Sequence, residues 1–207
     1  QFPQDKFHYE IETIADKDWV RATQQQFQPQ CYGNHLWICP AWSDASKYNG
    51  TIVRIDPGLA FGTGTHPTTA LCLTWLALHP PKDQIVVDYG CGSGILSLAA
   101  LALGAKKVYA IDHDPQAVLS TTNNAKLNSF VNDNNFTVLL DKSLPNIKAQ
   151  TVLANILANP LIDLAPTLTQ FLEKESQLIL SGILSSEASA VVSVYEKHCR
   201  HIHTATQ

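Results

Sequence analysis

The chain has 207 residues, of which 45% are hydrophobic and 15% charged, and it carries a formal net charge of −4. This length is sufficient for one domain with a substantial core plus an appendage, and the composition is that of an ordinary soluble globular protein. Because nucleic-acid-binding proteins usually carry a basic face, the slightly acidic balance argues against direct contact with nucleic acid. The longest apolar run, Ile95 to Ala105, is too short to cross a bilayer, so we expect no membrane association.

The five cysteines are odd in number and form no C-x-x-C pair. This pattern favours reduced thiols in a cytoplasmic protein, and no metal site is predicted. Cys91 lies inside a glycine-rich turn, where a small residue fits, so we interpret it as a packing residue rather than a nucleophile. The sequence has no methionine and no signal-peptide pattern at its start, and we expect a fragment of a longer chain.

Residues 1–50 predict a linker helix and an accessory strand. Asp16–Gln26 has the pattern of a short helix, and His35–Cys39 reads as a strand that ends at Pro40. We expect this segment to lack a core of its own, and we assign residues 51–207 to the main domain.

Strands and helices alternate after residue 84. The predicted strands are Ile85–Asp88, Val108–Asp112, Phe136–Leu140, Val152–Asn155, Leu178–Leu180 and His201–Thr206. The predicted helices are Ile95–Leu103, Gln116–Asn128, Leu161–Glu173 and Glu187–Cys199. This alternation predicts an α/β fold with a doubly wound, mainly parallel sheet, helices on both faces and right-handed crossovers. Ligands of such sheets bind outside the carboxyl ends of the strands.

Helix boundaries in this region carry their own signals. Asp114 and Pro115 suit the N-cap and first position of one helix, and Asn159-Pro160 suggests the same for the next. Gly104 is expected just past the end of the first helix.

The most informative motif is the segment Asp88–Gly94, in which glycines at alternate positions follow an apolar strand and precede an apolar helix. A dinucleotide-binding turn has the pattern G-x-G-x-x-G, but here the third glycine comes one residue early and Ile95 occupies its usual place. A nicotinamide-dependent dehydrogenase is therefore the weaker interpretation. The pattern D-x-G-x-G-x-G resembles motif I of the S-adenosylmethionine (SAM) methyltransferases, of the Rossmann-like class I type, and implies cofactor contacts at Gly90 and Gly92.

Asp112 follows Gly90 by 22 positions, at the end of the next predicted strand. An acidic side chain at this spacing can accept both ribose hydroxyls of an adenosine cofactor. The alternative is that Asp112 caps the following helix, but Asp114 already suits that position.

Two further segments suggest a site. The loop Asp56–Thr69 combines three glycines with four hydroxyl-bearing residues, so it could close over a ligand, or it could be a connector that needs unusual dihedral angles. Asn155 follows a predicted strand, where it could accept hydrogen bonds from an amine or act as a turn residue. Enzymes that methylate a flipped adenine usually place Pro-Pro-aromatic after this position, whereas this chain has Ile156-Leu157, which favours an aliphatic amine.

Together these residues resemble the bacterial ribosomal protein L11 methyltransferases (PrmA). The segment Phe61–Thr69 is the most distinctive part, and the similarity continues through Leu36–Trp42, Ala154–Leu157 and Ser181–Leu184. The resemblance implies that SAM contacts Thr69, Gly90, Asp112 and Asn155. It also implies an N-terminal recognition domain and a last, antiparallel strand, neither of which we expect within this chain.

The implied activity is methyl transfer from SAM to amino groups of ribosomal protein L11, at lysine side chains or the N-terminal amine. We expect Asn155 to orient the amine and Phe61 or His66 to line the acceptor channel, with His66 either a general base or a structural residue of its helix. The alternatives are a SAM-dependent N-methyltransferase of a small amine or another protein, and a noncatalytic SAM-binding module.

Overall fold

The computed structural model describes residues 27–56, 66–132, 134–142 and 144–206. Three predictions lie wholly or mainly outside these ranges: the helix at Asp16–Gln26, the loop between Asp56 and Thr69, of which residues 57–65 are not described, and the position of Phe61. None of the helices in the described ranges is long and apolar enough to cross a membrane.

A small sheet of three strands is formed by residues 30–55. Its strands are β1 (Gln30–Tyr32), β2 (Leu36–Pro40) and β3 (Thr51–Ile55). β1 pairs antiparallel with β2, and β2 pairs parallel with β3. The strand predicted at His35–Cys39 is confirmed as β2, whereas β3 was not predicted although its Thr-Ile-Val-Arg-Ile sequence is rich in β-branched residues. The β2–β3 pairing crosses the division proposed at residue 50.

The main sheet has five parallel strands in the order β6-β5-β4-β7-β8. Its strands are β4 (Ile85–Tyr89), β5 (Lys107–Asp112), β6 (Phe136–Leu140), β7 (Ala149–Asn155) and β8 (Leu172–Ser181). The helices are α1 (Pro67–Leu78), α2 (Ile95–Ala102), α3 (Pro115–Lys126), α4 (Ala158–Asp163), α5 (Ala165–Gln170) and α6 (Ala188–Tyr195). The predicted doubly wound α/β fold is confirmed, and the chain reverses its direction of strand addition between β4 and β7. That reversal is where such sheets place their ligands.

The segment after β7 differs from its prediction. Instead of one helix at Leu161–Glu173, α4 and α5 are separated at Leu164, and β8 already begins at Leu172. Pro166 explains the separation, because it has no N–H to donate to the preceding turn. α4 begins at Ala158 rather than after Asn159, so Pro160 falls within the first turn, where a missing N–H costs little.

The strand predicted at His201–Thr206 is wrong. These residues have no regular secondary structure and are largely exposed. Only one aliphatic residue beyond alanine, Ile202, lies in the segment, and it packs against the core beside β8. A single apolar anchor gives a strand too little buried surface to hold it on a sheet edge.

Two apolar clusters cover the two faces of the main sheet. One joins the small sheet with α1 and α2, and includes Leu36, Val53, Leu73 and Leu98. The other lies under α4, α5 and α6. This arrangement leaves the carboxyl ends of β4, β5, β7 and β8 as the edge at which polar side chains gather.

Candidate functional site

The turn after β4 can be built only from glycine at its key positions. Gly90, Gly92 and Gly94 have φ values of 76°, 56° and 80°, a region that other residues rarely adopt. A Cβ atom on Gly90 would collide with Cγ2 of Ile156, and one on Gly94 would lie 2.8 Å from Cγ2 of Thr121. The turn is therefore pressed against two other elements, the end of β7 and the helix α3.

Asp88 connects β4 to α2. Its Oδ2 accepts hydrogen bonds from the backbone N–H of Ser97 at 3.0 Å and from the Ser97 hydroxyl at 2.6 Å. Burial raises the pKa of Asp88 to about 6, although both Ser97 bonds oppose the shift and the charge of Asp112 adds to it. Asp88, the acidic residue that begins the motif, thus holds the strand before the turn against the helix after it, and it is buried.

Asp112 lies beside the same turn, at the end of β5. Its two carboxylate oxygens accept the backbone N–H groups of Gly92 at 2.9 Å and Asp114 at 3.0 Å. Asp114, as expected, caps α3 itself by accepting the N–H of Gln116 at 2.8 Å. A carboxylate can accept about four hydrogen bonds, so Asp112 keeps the capacity to bind a ribose diol.

Asn155 and Thr69 are brought into direct contact. The Asn155 Nδ2 donates a hydrogen bond to Thr69 Oγ1 at 3.0 Å, which directs the amide oxygen of Asn155 away from Thr69. The Ser181 hydroxyl at the end of β8 donates to the carbonyl of Thr68 at 3.0 Å. The first turn of α1 is therefore attached to the ends of both β7 and β8, and the amide oxygen of Asn155 is oriented as an acceptor.

Ile156 links this pair to the glycine turn. Its side chain covers Gly90, and its backbone carbonyl lies where a Cβ on Gly182 would be. Gly182 directly follows β8 and has a φ of 88°. A larger residue at this position would be strained and would push against the backbone of Ile156, just past the end of β7. The predicted residues Gly90, Gly92, Asp112, Asn155 and Thr69 thus form two groups that meet at Ile156.

A cleft of ≈ 330 Å³ opens past the carboxyl ends of β7 and β8, and on the β7 side its lining begins at Leu157, two residues after Asn155. It is lined by His66, Thr68, Leu157, Ala158, Asn159, Pro160, Gly182, Ile183, Leu184 and Glu187. Leu157 and Leu184 are 72% and 68% exposed at its mouth. The Glu187 carboxylate accepts the N–H of Leu184 at 3.1 Å. Gly182 and Glu187 were not predicted as site residues, although their position just past a strand end could have indicated them.

His66 occupies the N-cap of α1. Its Nδ1 accepts the N–H of Thr68 at 3.4 Å and lies 2.7 Å from the Thr68 hydroxyl. A neutral ring that accepts at Nδ1 carries its proton on Nε2. The nitrogen that could take a proton is therefore Nδ1, which already caps the helix at Thr68. The geometry favours the structural role of His66 over that of a general base. Within the described ranges, no three His, Cys, Asp or Glu side chains form a group that could hold a metal ion.

Comparison with known proteins identifies the family. The family described as Ribosomal protein L11 methyltransferase (PrmA) matches residues 1–207. The ribosomal protein L11 methyltransferase of Glaesserella parasuis serovar 5 (strain SH0165) is 50% identical over 191 residues, which cover 92% of this chain and 64% of that protein. The chain therefore spans less than two thirds of that relative's length.

Solved structures agree with this relation. The ribosomal protein L11 methylase of Lactobacillus delbrueckii subsp. bulgaricus has a TM-score of 0.71 and 34% identity, and the match covers 83% of this chain and 89% of that one. The tRNA m1G37 methyltransferase of M. jannaschii has a TM-score of 0.56 at 15% identity, covering 88% and 68% of the two chains, and shows the fold alone. With a family match along its whole length and a relative at half identity, this chain belongs to the ribosomal protein L11 methyltransferase (PrmA) family.

Proposed function

We propose that this chain carries the SAM-dependent methyltransferase part of an enzyme that methylates amino groups of ribosomal protein L11, at lysine side chains or the N-terminal amine. The observation that carries the proposal is the meeting of two groups at Ile156. One is a bare glycine turn beside Asp112, which we assign to the ribose, and the other is Asn155, whose amide nitrogen is bonded to Thr69 so that its oxygen faces away from that residue. Family membership supports both the reaction and the acceptor.

The donor side is formed by the glycine turn and Asp112. We assign the ribose hydroxyls of SAM to Asp112 and the close approach of the cofactor to Gly90 and Gly92, which present no side chain. Thr69 completes this side next to Asn155. SAM supplies a methyl group on a sulfonium cation when it is bound.

Asn155 provides the acceptor side. Its amide oxygen accepts an N–H from the incoming amine and thereby directs the nitrogen lone pair toward the methyl carbon. Bound SAM would supply the methyl group to this nitrogen, its sulfur would keep the electron pair of the broken sulfur–carbon bond, and the methylated ammonium would lose its proton to water. Phe61 remains a prediction for the wall of this channel.

The cleft past the ends of β7 and β8 suits a lysine side chain. Leu157 and Leu184 offer apolar contact to its alkyl stem, and the Glu187 carboxylate attracts its ammonium group during entry. A lysine amine has a pKa of about 10.4 in water, so little of it is nucleophilic at neutral pH. The Glu187 carboxylate favours the charged form during entry, whereas partial desolvation of the amine deeper in the site, away from that carboxylate, lowers its pKa and increases the neutral fraction.

The deciding experiment is mass spectrometry of purified L11 after incubation with SAM and the full-length protein that contains this chain. We expect the mass of L11 to increase by whole numbers of methyl groups. We expect an Asn155→Ala variant to bind SAM more weakly, because Asn155 also contacts the donor side, and to methylate L11 far less than that loss of affinity explains even at saturating SAM. Unmodified L11 together with methylated small amines would indicate a different acceptor. SAM binding with no methylated acceptor at all would support a noncatalytic module, and binding of NAD in place of SAM would contradict the proposal.

A cytoplasmic location is part of the same proposal. It is supported by the ribosomal acceptor and by the five free cysteines, which are typical of a reducing compartment.

A further inference from the structure

Helix α3 buries a polar face. Thr121 and Asn124 lie on one side of this helix, Asn128 continues that side just past the helix end, and the three residues are 0%, 1% and 6% exposed. A helix face directed toward the core is normally apolar, because buried amides lose their hydrogen bonds to water. In the described part of the chain every buried side-chain nitrogen and oxygen has a partner, so these residues are held by specific contacts.

The two asparagines pair with the free edge of β3. Asn128 accepts the N–H of Arg54 at 2.8 Å and donates to the carbonyl of the same residue at 2.9 Å. Asn124 does the same with Asp56, at 2.8 Å and 3.2 Å. Since alternate residues of an edge strand direct their N–H and C=O groups outward, the two amides replace a neighbouring strand.

Asn124 has one contact that Asn128 lacks. Its Nδ2 also donates to the carbonyl of Ser93, inside the glycine turn, at 2.9 Å. Asn128 donates its second bond to the backbone of α3 instead, at the carbonyl of Asn124. One amide therefore joins the end of β3, helix α3 and the turn that follows β4.

Thr121 holds the neighbouring peptide of the same turn. Its hydroxyl donates to the carbonyl of Gly92 at 2.9 Å, while the N–H of Gly92 donates to Asp112. Gly92 is thus held from one side by α3 and from the other by the carboxylate that we assign to the ribose. A shift of the α3 face would move the partner of Asp112.

We infer that Asn124 is a positioning residue for the methyl-donor site. It sets the shape of the glycine turn by fixing the Ser93 carbonyl against α3, and it ties that shape to the end of β3, from which the Asp56–Thr69 segment departs. The inference relies on the proposed function only for the identity of the ligand, SAM. Asn128 bonds to β3 and to the backbone of α3, whereas its bonds described above do not reach the glycine turn.

The test compares Asn124→Asp with Asn128→Asp in the whole chain. Each change is isosteric, removes two hydrogen bonds donated to backbone carbonyls and keeps one acceptor for a β3 N–H. We expect similar losses of thermal stability in both variants. Calorimetry well below both unfolding temperatures should show SAM affinity reduced about tenfold or more in Asn124→Asp and within about twofold of the unchanged chain in Asn128→Asp.

Alanine variants at both positions provide the second pair, since an aspartate could alter SAM binding through its charge. The same ranking in that pair would support positioning, whereas equal SAM affinities in both pairs would overturn it. The unchanged chain is titrated first. If it does not bind SAM, the proposed function has failed; if it binds and the two variants do not differ, only the role of Asn124 has failed.

Discussion

The two aspartates around the glycine turn have the same side chain in different surroundings. Asp88 is enclosed by protein and accepts both of its hydrogen bonds within the described residues from Ser97, whereas Asp112 bridges two backbone N–H groups and keeps further acceptor capacity. We therefore expect Asp88 to affect the stability of the fold and Asp112 to affect ligand binding.

Asp112→Asn should weaken SAM binding about 10- to 100-fold, because the lost bonds to the ribose involve a charged acceptor. The same change replaces one acceptor of a backbone N–H with a donor, so unfolding free energy should fall by only ~1–2 kcal/mol. Calorimetry and urea unfolding measure the two effects. Asp114→Asn is the matched control, since asparagine is as good an N-cap as aspartate, and it should change neither quantity much. Unchanged SAM affinity in Asp112→Asn would refute the ribose assignment.

The elevated pKa of Asp88 predicts a pH dependence of stability. Its pKa rises from 3.8 to about 6 on folding, so between these values the folded chain binds the proton more tightly than the unfolded chain does. Stability contributed by Asp88 is then lost as pH rises through this window, by up to ~3 kcal/mol. Urea unfolding from pH 4 to 7 should show the unfolding free energy of the unchanged chain falling relative to that of Asp88→Asn. Parallel pH curves would show that Asp88 titrates normally.

At the scale of elements, the ends of β4, β7 and β8 are held together around Ile156. Gly90 meets its side chain, and Gly182 meets its backbone carbonyl. Shortening the Ile156 side chain would relieve the contact at Gly90, but it would leave the contact at Gly182 unchanged, because that contact is with the backbone.

This difference can be measured with a double-mutant cycle. Gly90→Ala and Gly182→Ala should each destabilise the chain, by ~1–2 kcal/mol for the left-handed backbone alone and more for the collision. Adding Ile156→Ala should partly restore Gly90→Ala, with a favourable coupling of about 1 kcal/mol in urea unfolding. It should not restore Gly182→Ala, because the backbone carbonyl remains. Equal coupling for both glycines would contradict the packing described here.

Sequence-based prediction of elements succeeded where the signals are local. β4, the glycine turn and α2 are contiguous, and the capping of α3 by Asp114 was confirmed. Prediction failed at the helix broken near Pro166 and at the strand placed on His201–Thr206, since both depend on what packs against the segment. The buried polar face of α3 was also not predicted. Polar residues at this helical spacing usually lie on a solvent-exposed face, and only the structure shows that β3 packs against them.

For the whole molecule, one apolar cluster joins the small sheet to the main sheet. Leu36 and Val53 come from the small sheet, and Val86 and Leu98 come from the main domain. We therefore expect both sheets to unfold in a single transition.

The reactivity of the cysteine thiols tests whether the two sheets unfold together. Cys31 is exposed, whereas Cys39, Cys72 and Cys91 are buried, and burial raises the pKa of all three buried thiols, that of Cys72 to about 12. With a thiol reagent at pH 8, Cys31 should react at once and the buried three only on unfolding. Cys39 in β2 and Cys72 in α1 should become reactive at the same urea concentration. Earlier reaction of Cys39 would mean that the small sheet unfolds separately.

The residues of the proposed donor half can be read from the sequence, because the glycine turn is contiguous and Asp112 follows it at the spacing of one strand-helix-strand unit. Asn155 and Thr69 were also predicted, as separate candidates. The folded structure was needed to show that Thr69 orients the Asn155 amide, that Ile156 joins the two halves, and that Asn124 ties the turn to β3. These contacts connect residues 86, 66 and 31 positions apart, such as Thr69 with Asn155 and Ser93 with Asn124, and no local pattern encodes them. They exist because parallel strands bring their carboxyl ends to one edge of the sheet.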